Sequence, residues 1–287
     1  MSTHPFTLID VFAERPLEGN LLAVIENADD IDDATMATLA RRFRLSETSF
    51  IQAATSPSAD YRHRIYVVEG EIPFAGHPSL GTAAVWARQQ GGSGGEFVQQ
   101  TISGEQRLRV ALRESSGTAT IWQNPADFGE LVDGGPVIEA LGLDRRDRHP
   151  VLRPQVMSTG LPTLVLPLDD PERFAAIVMD LARLDEAMPR LADGSKPLTC
   201  YVVAEEAAGE WRARSFGTDL AGGEDPATGS AAGAFGAYLA QYLGVYRFVI
   251  RQGIEMGCPS RLYVDTTEGI AVSGSVQFVG SGTLDLP

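Results

Sequence analysis

The amino-acid sequence predicts an α+β protein of two pseudo-symmetric domains, each a barrel-like β-sheet wrapped around a central α-helix. Three observations support this fold class: an internal repeat, short strand-like runs in both halves, and two helical segments almost free of charge. The clearest part of the repeat is the match between residues 77–84 (HPSLGTAA) and residues 225–232 (DPATGSAA). Self-similarity of this kind indicates a duplicated structural unit.

Two weaker matches flank the first one in the same order. Residues 19–25 (GNLLAVI) parallel residues 160–166 (GLPTLVL), and residues 107–110 (RLRV) parallel residues 261–264 (RLYV). From the N-terminus onward, the three matches have offsets of 141, 148 and 154 residues. The shared order and the similar spacing favour duplication over chance similarity.

Most predicted elements are strands, because runs rich in β-branched and aromatic residues recur between turn-forming residues. In the first half they cover residues 7–12, 22–25, 48–53, 63–68, 106–112 and 118–122. In the second half they cover residues 155–157, 163–166, 199–204, 211–216, 248–250, 261–264 and 271–279. Helical patterns and start signals predict helices over residues 34–43, 78–89, 171–177, 180–188 and 229–243.

The domain boundary is predicted within residues 124–135, where Pro, Gly and Asp accumulate. This divides the chain into an N-terminal domain, residues 1–124, and a C-terminal domain, residues 125–274. We expect the last strand, residues 275–287, to return to the N-terminal domain. Residues 91–95 (GGSGG) are interpreted as a turn within the first half.

The two helices that follow the repeated motif are unusual in having almost no charged face. Residues 229–243 contain no charged side chain, and residues 78–89 contain none before Arg88. A helix that is apolar on every side is buried on every side. Because mostly strands are available to surround it, each helix is predicted to lie inside a curved sheet or barrel.

Charge and composition exclude several classes of function. The 287 residues carry 23 Lys and Arg against 38 Asp and Glu, a formal net charge of −15. This charge repels phosphate backbones and anionic lipid head groups, so no nucleic acid or membrane partner is predicted. The N-terminus has no basic segment followed by an apolar one, and no apolar run approaches the ~20 residues that span a bilayer. With two cysteines, Cys200 and Cys258, a disulfide framework is excluded, and we expect a cytoplasmic protein.

Both central helices begin at a Gly-[Ser/Thr] turn beside a titratable residue, His77 in the first half and Asp225 in the second. A helix N-terminus presents unpaired N–H groups and a partial positive charge, which favour a carboxylate. If a pseudo-twofold axis relates the halves, both helix starts can face one cleft and bind a small anionic substrate. The alternative interpretation is local: Asp225 as an ordinary helix cap, and His77 as a turn residue.

Glu47 is a further candidate, in residues 45–50 (LSETSF) at the start of a predicted strand. Ser46, Thr48 and Phe50 would share one face of the strand, with Glu47 and Ser49 on the other. Glu47 is either a solvated edge residue or a general acid/base whose pKa is raised by partial burial. No nucleotide-binding motif occurs, and the four histidines and two cysteines lack metal-ligand spacing, so no metal or cofactor is predicted.

Five segments, in order along nearly the whole chain, resemble the PhzF-like (phenazine biosynthesis PhzF) family. They are residues 10–12 (DVF) with 19–20 (GN), 45–48 (LSET), 73–78 (PFAGHP), 224–231 (EDPATGSA) and 252–257 (QGIEMG). The resemblance implies a fold like that of diaminopimelate epimerase, with the active site between two similar domains. It also implies a cofactor-independent isomerase, since the type member isomerises trans-2,3-dihydro-3-hydroxyanthranilate.

The resemblance also implies roles for individual residues. Glu47 would shuttle the proton as general acid/base, with His77 and Asp225 as the other catalytic residues. The substrate-binding residues would be Asn20, Gly76, Gly229 and Ser230, with the backbone amides around the two glycines holding the substrate carboxylate. The implied partners are a small carboxylate-bearing metabolite and a second copy of the chain in a homodimer.

The alternatives are an amino-acid racemase or epimerase, and a non-catalytic member that binds a metabolite or a protein. Chemistry with two thiols is disfavoured, because neither Cys200 nor Cys258 lies in the repeated motif. Residues 67–69 (VVE) stand where a Thr-containing segment is more usual in the family, and Ser79 stands where Thr is common. The substrate is therefore left open.

Overall fold

The computed structural model describes residues 2–218 and 220–286, which form a mixed α+β structure. The strands of the first half are β1 (Ser2–Val11), β2 (Asn20–Ile25), β3 (Thr48–Gln52), β4 (Tyr61–Tyr66), β5 (Glu71–Ile72), β6 (Gly94–Thr101), β7 (Gly104–Leu112) and β8 (Ser116–Trp122). Those that follow are β9 (Asp127–Leu131), β10 (Gln155–Ser158), β11 (Pro162–Pro167), β12 (Thr199–Ala207), β13 (Glu210–Phe216), β14 (Glu224–Asp225), β15 (Arg247–Gln252), β16 (Ser260–Asp265) and β17 (Ala271–Leu286).

Helices are fewer and mostly short. The α-helices are α1 (Asp33–Phe43), α2 (Gly76–Gln89), α3 (Gly135–Ala140), α4 (Leu181–Ala187) and α5 (Gly229–Leu243). Short 3₁₀ helices cover Arg145–Asp147, Pro171–Ala176 and Ala221–Gly223. In the part of the chain that the structure describes, no helix is long and apolar enough to cross a membrane.

In the N-terminal half, eight strands close into a barrel around α2. The strands pair in the order β1-β2-β3-β4-β6-β7-β8-β17, and β17 pairs with β1 to complete the ring. Two of these pairings, β2–β3 and β4–β6, are parallel. The helix residues from Gly76 to Val85 are all buried, which confirms the prediction of an uncharged helix inside a curved sheet.

The C-terminal half arranges a similar sheet around α5, although no pairing among the described residues closes it into a ring. Its strands pair in the order β9-β10-β11-β12-β13-β15-β16-β17, and its parallel pairings, β11–β12 and β13–β15, match those of the first half when β10 is aligned with β1. Phe235 near the middle of α5 packs against Trp211 of β13, with ring centroids 5.0 Å apart. The predicted fold class, two similar units of sheet around a central helix, is therefore confirmed.

Strand β17 belongs to both halves. Its first residues pair with β16 and β8, and its last residues pair with β1, from Val11↔Val276 to Ser2↔Leu286. Strand β9 leaves the N-terminal half directly after β8 and pairs with β10. The two halves therefore share strands, and the division at residue 124 stays a prediction.

The main errors in the predicted elements concern exposed strands. Residues 94 and 95 begin β6 rather than completing a turn, and the predicted boundary segment contains β9 and the start of α3. Gln99 is the fully buried residue of β6, and every residue of β9 is exposed. Strands β6 and β9 therefore lack the regular alternation of buried apolar and exposed polar residues by which a strand is recognised in a sequence. Residues 171–176 form a 3₁₀ helix, not an α-helix.

Candidate active site

A cavity of about 220 Å³ lies between the two halves. Six of the residues predicted to form the site line it: Glu47, Gly76, His77, Asp225, Gly229 and Ser230. Both halves contribute to its walls, as the pseudo-symmetric arrangement requires. Asn20, the remaining predicted residue, is buried behind this surface and hydrogen-bonds to two of these side chains.

The N-termini of α2 and α5 meet at the base of the interface between the halves. A Cβ added to Gly76 would lie 2.6 Å from the Cα of Gly229 and 2.7 Å from the backbone N of Ser230. Only glycine allows so close an approach of two backbones. Neither helix has a side-chain cap, so the first-turn N–H groups are available to a ligand. The two helix starts therefore adjoin one cavity.

Glu47 precedes β3 and points into this region. Its side chain is buried, and its Oε2 lies 3.4 Å from Nε2 of His77 without a hydrogen-bond partner among the described residues. Burial, and secondly the charge of Asp225, raise the pKa of Glu47 well above its ordinary value of 4.5. The interpretation of Glu47 as a solvated edge residue is therefore wrong.

His77 lies in the first turn of α2 and is neutral. Burial, with a smaller contribution from His63, lowers its pKa to about 3. Its Nδ1 accepts a hydrogen bond of 3.1 Å from Nδ2 of Asn20, which assigns the ring proton to Nε2. The N–H of His77 therefore faces the Glu47 carboxyl, and because the imidazole is uncharged the contact is not an ion pair.

Asp225 is held from both sides of the interface. Asn20 Nδ2 donates to its Oδ1 at 2.7 Å, and Thr228 Oγ1 donates to its Oδ2 at 2.6 Å. Burial raises the pKa of Asp225 to about 6, an effect that hydrogen bonds from Thr228, Asn20 and Ser46 partly offset. The cap interpretation is wrong, because the N-cap position of α5 belongs to Thr228 and Asp225 makes no such bond.

Thr228, Gln252 and Tyr201 belong to this network and were not predicted as site residues. Gln252 Nε2 donates to the carbonyl oxygen of Asp225 at 2.8 Å and to Thr228 Oγ1 at 3.0 Å. Tyr201 donates from its hydroxyl to Gln252 Oε1 at 3.1 Å. Gln252 is the first residue of the segment 252–257, which carries part of the family resemblance. Its position in that segment is the feature of the sequence that could have identified it as a site residue. Tyr201 lies in an ordinary strand pattern and gives no such signal.

The side chains of the described residues do not suggest a metal centre. No group of three or more His, Cys, Asp or Glu among residues 2–218 and 220–286 could hold a metal ion. Cys200 is buried within its strand and Cys258 is partly exposed, and neither lines the cavity. The titratable groups of the cavity are thus carboxyls and one neutral imidazole.

Several known proteins of similar sequence are named as isomerases. An uncharacterised isomerase from Mesorhizobium japonicum is 32% identical over 281 residues, covering 93% of this chain and 92% of the relative. The trans-2,3-dihydro-3-hydroxyanthranilate isomerase of Pseudomonas aeruginosa is 30% identical over 283 residues, covering 97% of this chain and 96% of the relative.

Solved structures agree on the fold. A protein from Pseudomonas aeruginosa described as a predicted epimerase superposes with a TM-score of 0.83 at 35% identity, covering 99% of this chain and all of that one. A hydroxyproline epimerase from Agrobacterium vitis has a TM-score of 0.66 at 13% identity, covering 99% of this chain and 91% of that one, a likeness of fold alone. The family model for phenazine biosynthesis-like proteins matches residues 9–284. The chain therefore belongs to the phenazine biosynthesis-like (PhzF) family and is an isomerase.

Proposed function

We propose that the chain is a cofactor-independent isomerase that transfers a proton within a small carboxylate-bearing substrate, with Glu47 as the general acid/base. The observation that carries this proposal is a buried carboxyl with one unpartnered oxygen, Glu47 Oε2, in a cavity that also receives two uncapped helix N-termini. Together they supply a group that moves a proton and a site that binds the adjacent anion.

The helix starts account for binding of the carboxylate. Backbone N–H groups around Gly76 and Gly229 are donors in a fixed arrangement, and the dipoles of α2 and α5 add partial positive charge. Removal of a proton next to a carboxylate delocalises the electron pair onto its oxygens. The same donors then stabilise the additional charge in the transition state, which is the general origin of such catalysis.

Glu47 accounts for the proton transfer. Its raised pKa brings the acid and carboxylate forms closer together in free energy near neutral pH, so one group can accept a proton from one carbon and return it to another. The C–H bond that breaks is replaced by a C–H bond elsewhere in the substrate, so no oxidant or reductant is needed. His77 would orient Glu47 through its Nε2–H, and Ser230 would contact the substrate.

The nature of the substrate is supported by the relatives. We propose a substrate of the trans-2,3-dihydro-3-hydroxyanthranilate type, because the Pseudomonas aeruginosa enzyme of that name matches nearly the whole chain. A racemase with two acid/base groups is less well supported. Asp225, the other carboxyl beside Glu47, already accepts a hydrogen bond on each of its oxygens.

The test is turnover of trans-2,3-dihydro-3-hydroxyanthranilate in deuterium oxide, followed by NMR, for the wild type and Glu47→Gln. Loss of a general acid/base costs roughly 10²- to 10⁴-fold in rate, so isomerisation and deuterium incorporation should fall together by that factor in the variant. The matched control is Glu114→Gln, which removes an exposed carboxylate in the turn after β7, beside the C-terminal end of α2.

Three results would distinguish an error in the role of Glu47, an error in the substrate and a protein that only binds the compound. Equal deuterium incorporation by the wild type and Glu47→Gln would contradict the role of Glu47. Absence of turnover by the wild type would contradict the substrate. Stabilisation of the protein by the same compound without turnover would instead favour a member that binds a metabolite and does not transform it.

A further inference from the structure

The cavity has an unusual distribution of charge. Among the described residues that line it, none is lysine or arginine, and its imidazole, that of His77, is neutral. Four lining residues carry carboxyl groups: Glu47, Glu69, Glu71 and Asp225. The positive potential that would hold a substrate carboxylate therefore comes from the helix N-termini, while the acidic side chains face other parts of the substrate.

Three of these carboxyls already have a role in the structure. Glu47 and Asp225 belong to the network described above. Glu71 forms a two-pronged ion pair with Arg64, whose Nε and Nη2 donate to its two oxygens at 2.8 and 2.6 Å. Arg64 also pairs with Asp33 at 2.6 Å, so Glu71 is held in an ion-pair cluster within the protein.

Glu69 is the exception. It is exposed, lines the cavity, and makes no ion pair or side-chain hydrogen bond with any other described residue. It lies at the tip of the tight turn between β4 and β5. There Val67 N–H donates to the carbonyl oxygen of Gly70 at 2.9 Å, and Gly70 N–H donates back at 3.3 Å. The turn therefore holds an uncompensated carboxylate at the edge of the cavity.

We infer that Glu69 is a specificity-determining residue that binds a cationic group, such as an ammonium, on the substrate. This inference rests on the proposed function, since it takes the carboxylate of the substrate to lie at the N-termini of α2 and α5. A substrate that carries both a carboxylate and an ammonium group matches the charges at both places. A substrate with a second carboxylate would meet Glu69 as a like charge.

The cavity is also small, and many of the side chains that line it are apolar. Its volume of about 220 Å³ suits a small molecule, and its uncharged walls include Val67, Ile72, Leu161, Leu198 and Leu220. Thr163, Thr199, Thr228 and Ser230 add uncharged polar groups to the lining, and among the described lining residues outside the catalytic network Glu69 is the carboxylate without an ion-pair partner. A small cyclic amino acid, the class to which the proposed trans-2,3-dihydro-3-hydroxyanthranilate substrate belongs, would therefore place its ammonium group at Glu69.

The test compares two probes that differ by the ammonium group alone: trans-2-aminocyclohexanecarboxylate, as both enantiomers, and cyclohexanecarboxylate. Dissociation constants are measured by ligand-observed NMR with the full chain, for the wild type, Glu69→Gln and Glu114→Gln. Glu114→Gln removes the same charge from the opposite end of α2, so it reports any effect of net charge alone.

The wild type should bind one enantiomer of the amino probe more tightly than the plain carboxylate. Glu69→Gln should reduce that preference by about threefold to tenfold, the range expected for a partly exposed charge pair. Its affinity for cyclohexanecarboxylate should stay within about twofold of the wild-type value, and Glu114→Gln should change neither. A second variant, Glu69→Lys, should invert the preference in favour of trans-1,2-cyclohexanedicarboxylate.

An unchanged preference in Glu69→Gln, or no preference in the wild type, overturns the inference while leaving the carboxylate site intact. If neither probe binds the wild type, the carboxylate site fails and the inference fails with it. The proposed proton transfer by Glu47 is tested separately, because these measurements involve binding and no turnover.

Discussion

At the residue scale, the contacts Glu47–His77–Asn20–Asp225 connect two carboxyl groups through two neutral side chains. Asn20 comes from β2 and Asp225 from β14, so the connection crosses from one half to the other. Burial acts in opposite directions on these groups. It raises the pKa of both carboxyls and lowers that of His77, because each charged form loses its hydration. In the proposed function Glu47, which has an unpartnered oxygen, is the group that would exchange a proton with the substrate.

Replacement of Asp225 by Asn tests the electrostatic part of this arrangement. Glu47 accepts a proton only as the carboxylate, so kcat/KM should rise with pH through its raised pKa. In Asp225→Asn the repelling charge is gone, and the acid limb of the profile should move to lower pH. It should remain above 4.5, because burial is the larger cause of the shift. The pH dependence of kcat/KM from pH 4 to 9 measures this, with Glu114→Gln as control, and an unmoved limb would refute the coupling.

At the element scale, the contact between the starts of α2 and α5 would form the proposed anion site. Each helix lies against the curved sheet of its own half, and the two first turns touch through Gly76 and Gly229 without an intervening side chain. The small residues of the repeated motif make this contact possible. Because protein interiors are close-packed, an added methyl group here has to move one half relative to the other.

Gly76→Ala is expected to separate the helix starts. The new Cβ would meet backbone atoms at 2.6 to 2.7 Å, so the variant should lose roughly 1–3 kcal/mol of unfolding free energy and at least about tenfold in kcat/KM. Gly92→Ala is the matched control, since its Cβ would find no atom nearer than 3.6 Å. Thermal unfolding and steady-state kinetics measure both effects. Wild-type kinetics in Gly76→Ala would show that the close contact is not needed for the site.

At the scale of the whole molecule, β17 makes the two halves interdependent. This strand of 16 residues pairs with β16 in one half and with β8 and β1 in the other, so it completes the N-terminal barrel. Loss of either half would leave part of β17 unpaired. The exposed backbone groups would then lose their hydrogen-bond partners, which opposes independent unfolding of the halves.

Equilibrium unfolding should therefore occur in one transition. Trp86 packs against Tyr61 in the N-terminal half, with ring centroids 5.1 Å apart, and Trp211 is buried in the C-terminal half. Two double variants isolate these probes. Trp122→Phe combined with Trp211→Phe leaves Trp86 as the tryptophan that reports on the N-terminal half. Trp86→Phe combined with Trp122→Phe leaves Trp211 as the reporter of the C-terminal half. In each variant, the tryptophan fluorescence and the far-UV circular dichroism should give coincident urea curves. Separate midpoints for the two signals would indicate that the halves unfold independently.

The repeated motif and the uncharged helices were sufficient to predict two barrels around central helices, because burial on every side requires an apolar surface all round. The repeated motif identified His77 and Asp225 as candidates, and the separate segment 45–50 identified Glu47. Local patterns could not predict β6 and β9, whose exposed faces carry no apolar alternation. Nor could they predict the hydrogen bond from Asn20 to Asp225, which joins residues 205 positions apart. That contact, the approach of Gly76 to Gly229 and the raised pKa values depend on how the two halves dock, since only the docked structure removes water from these groups.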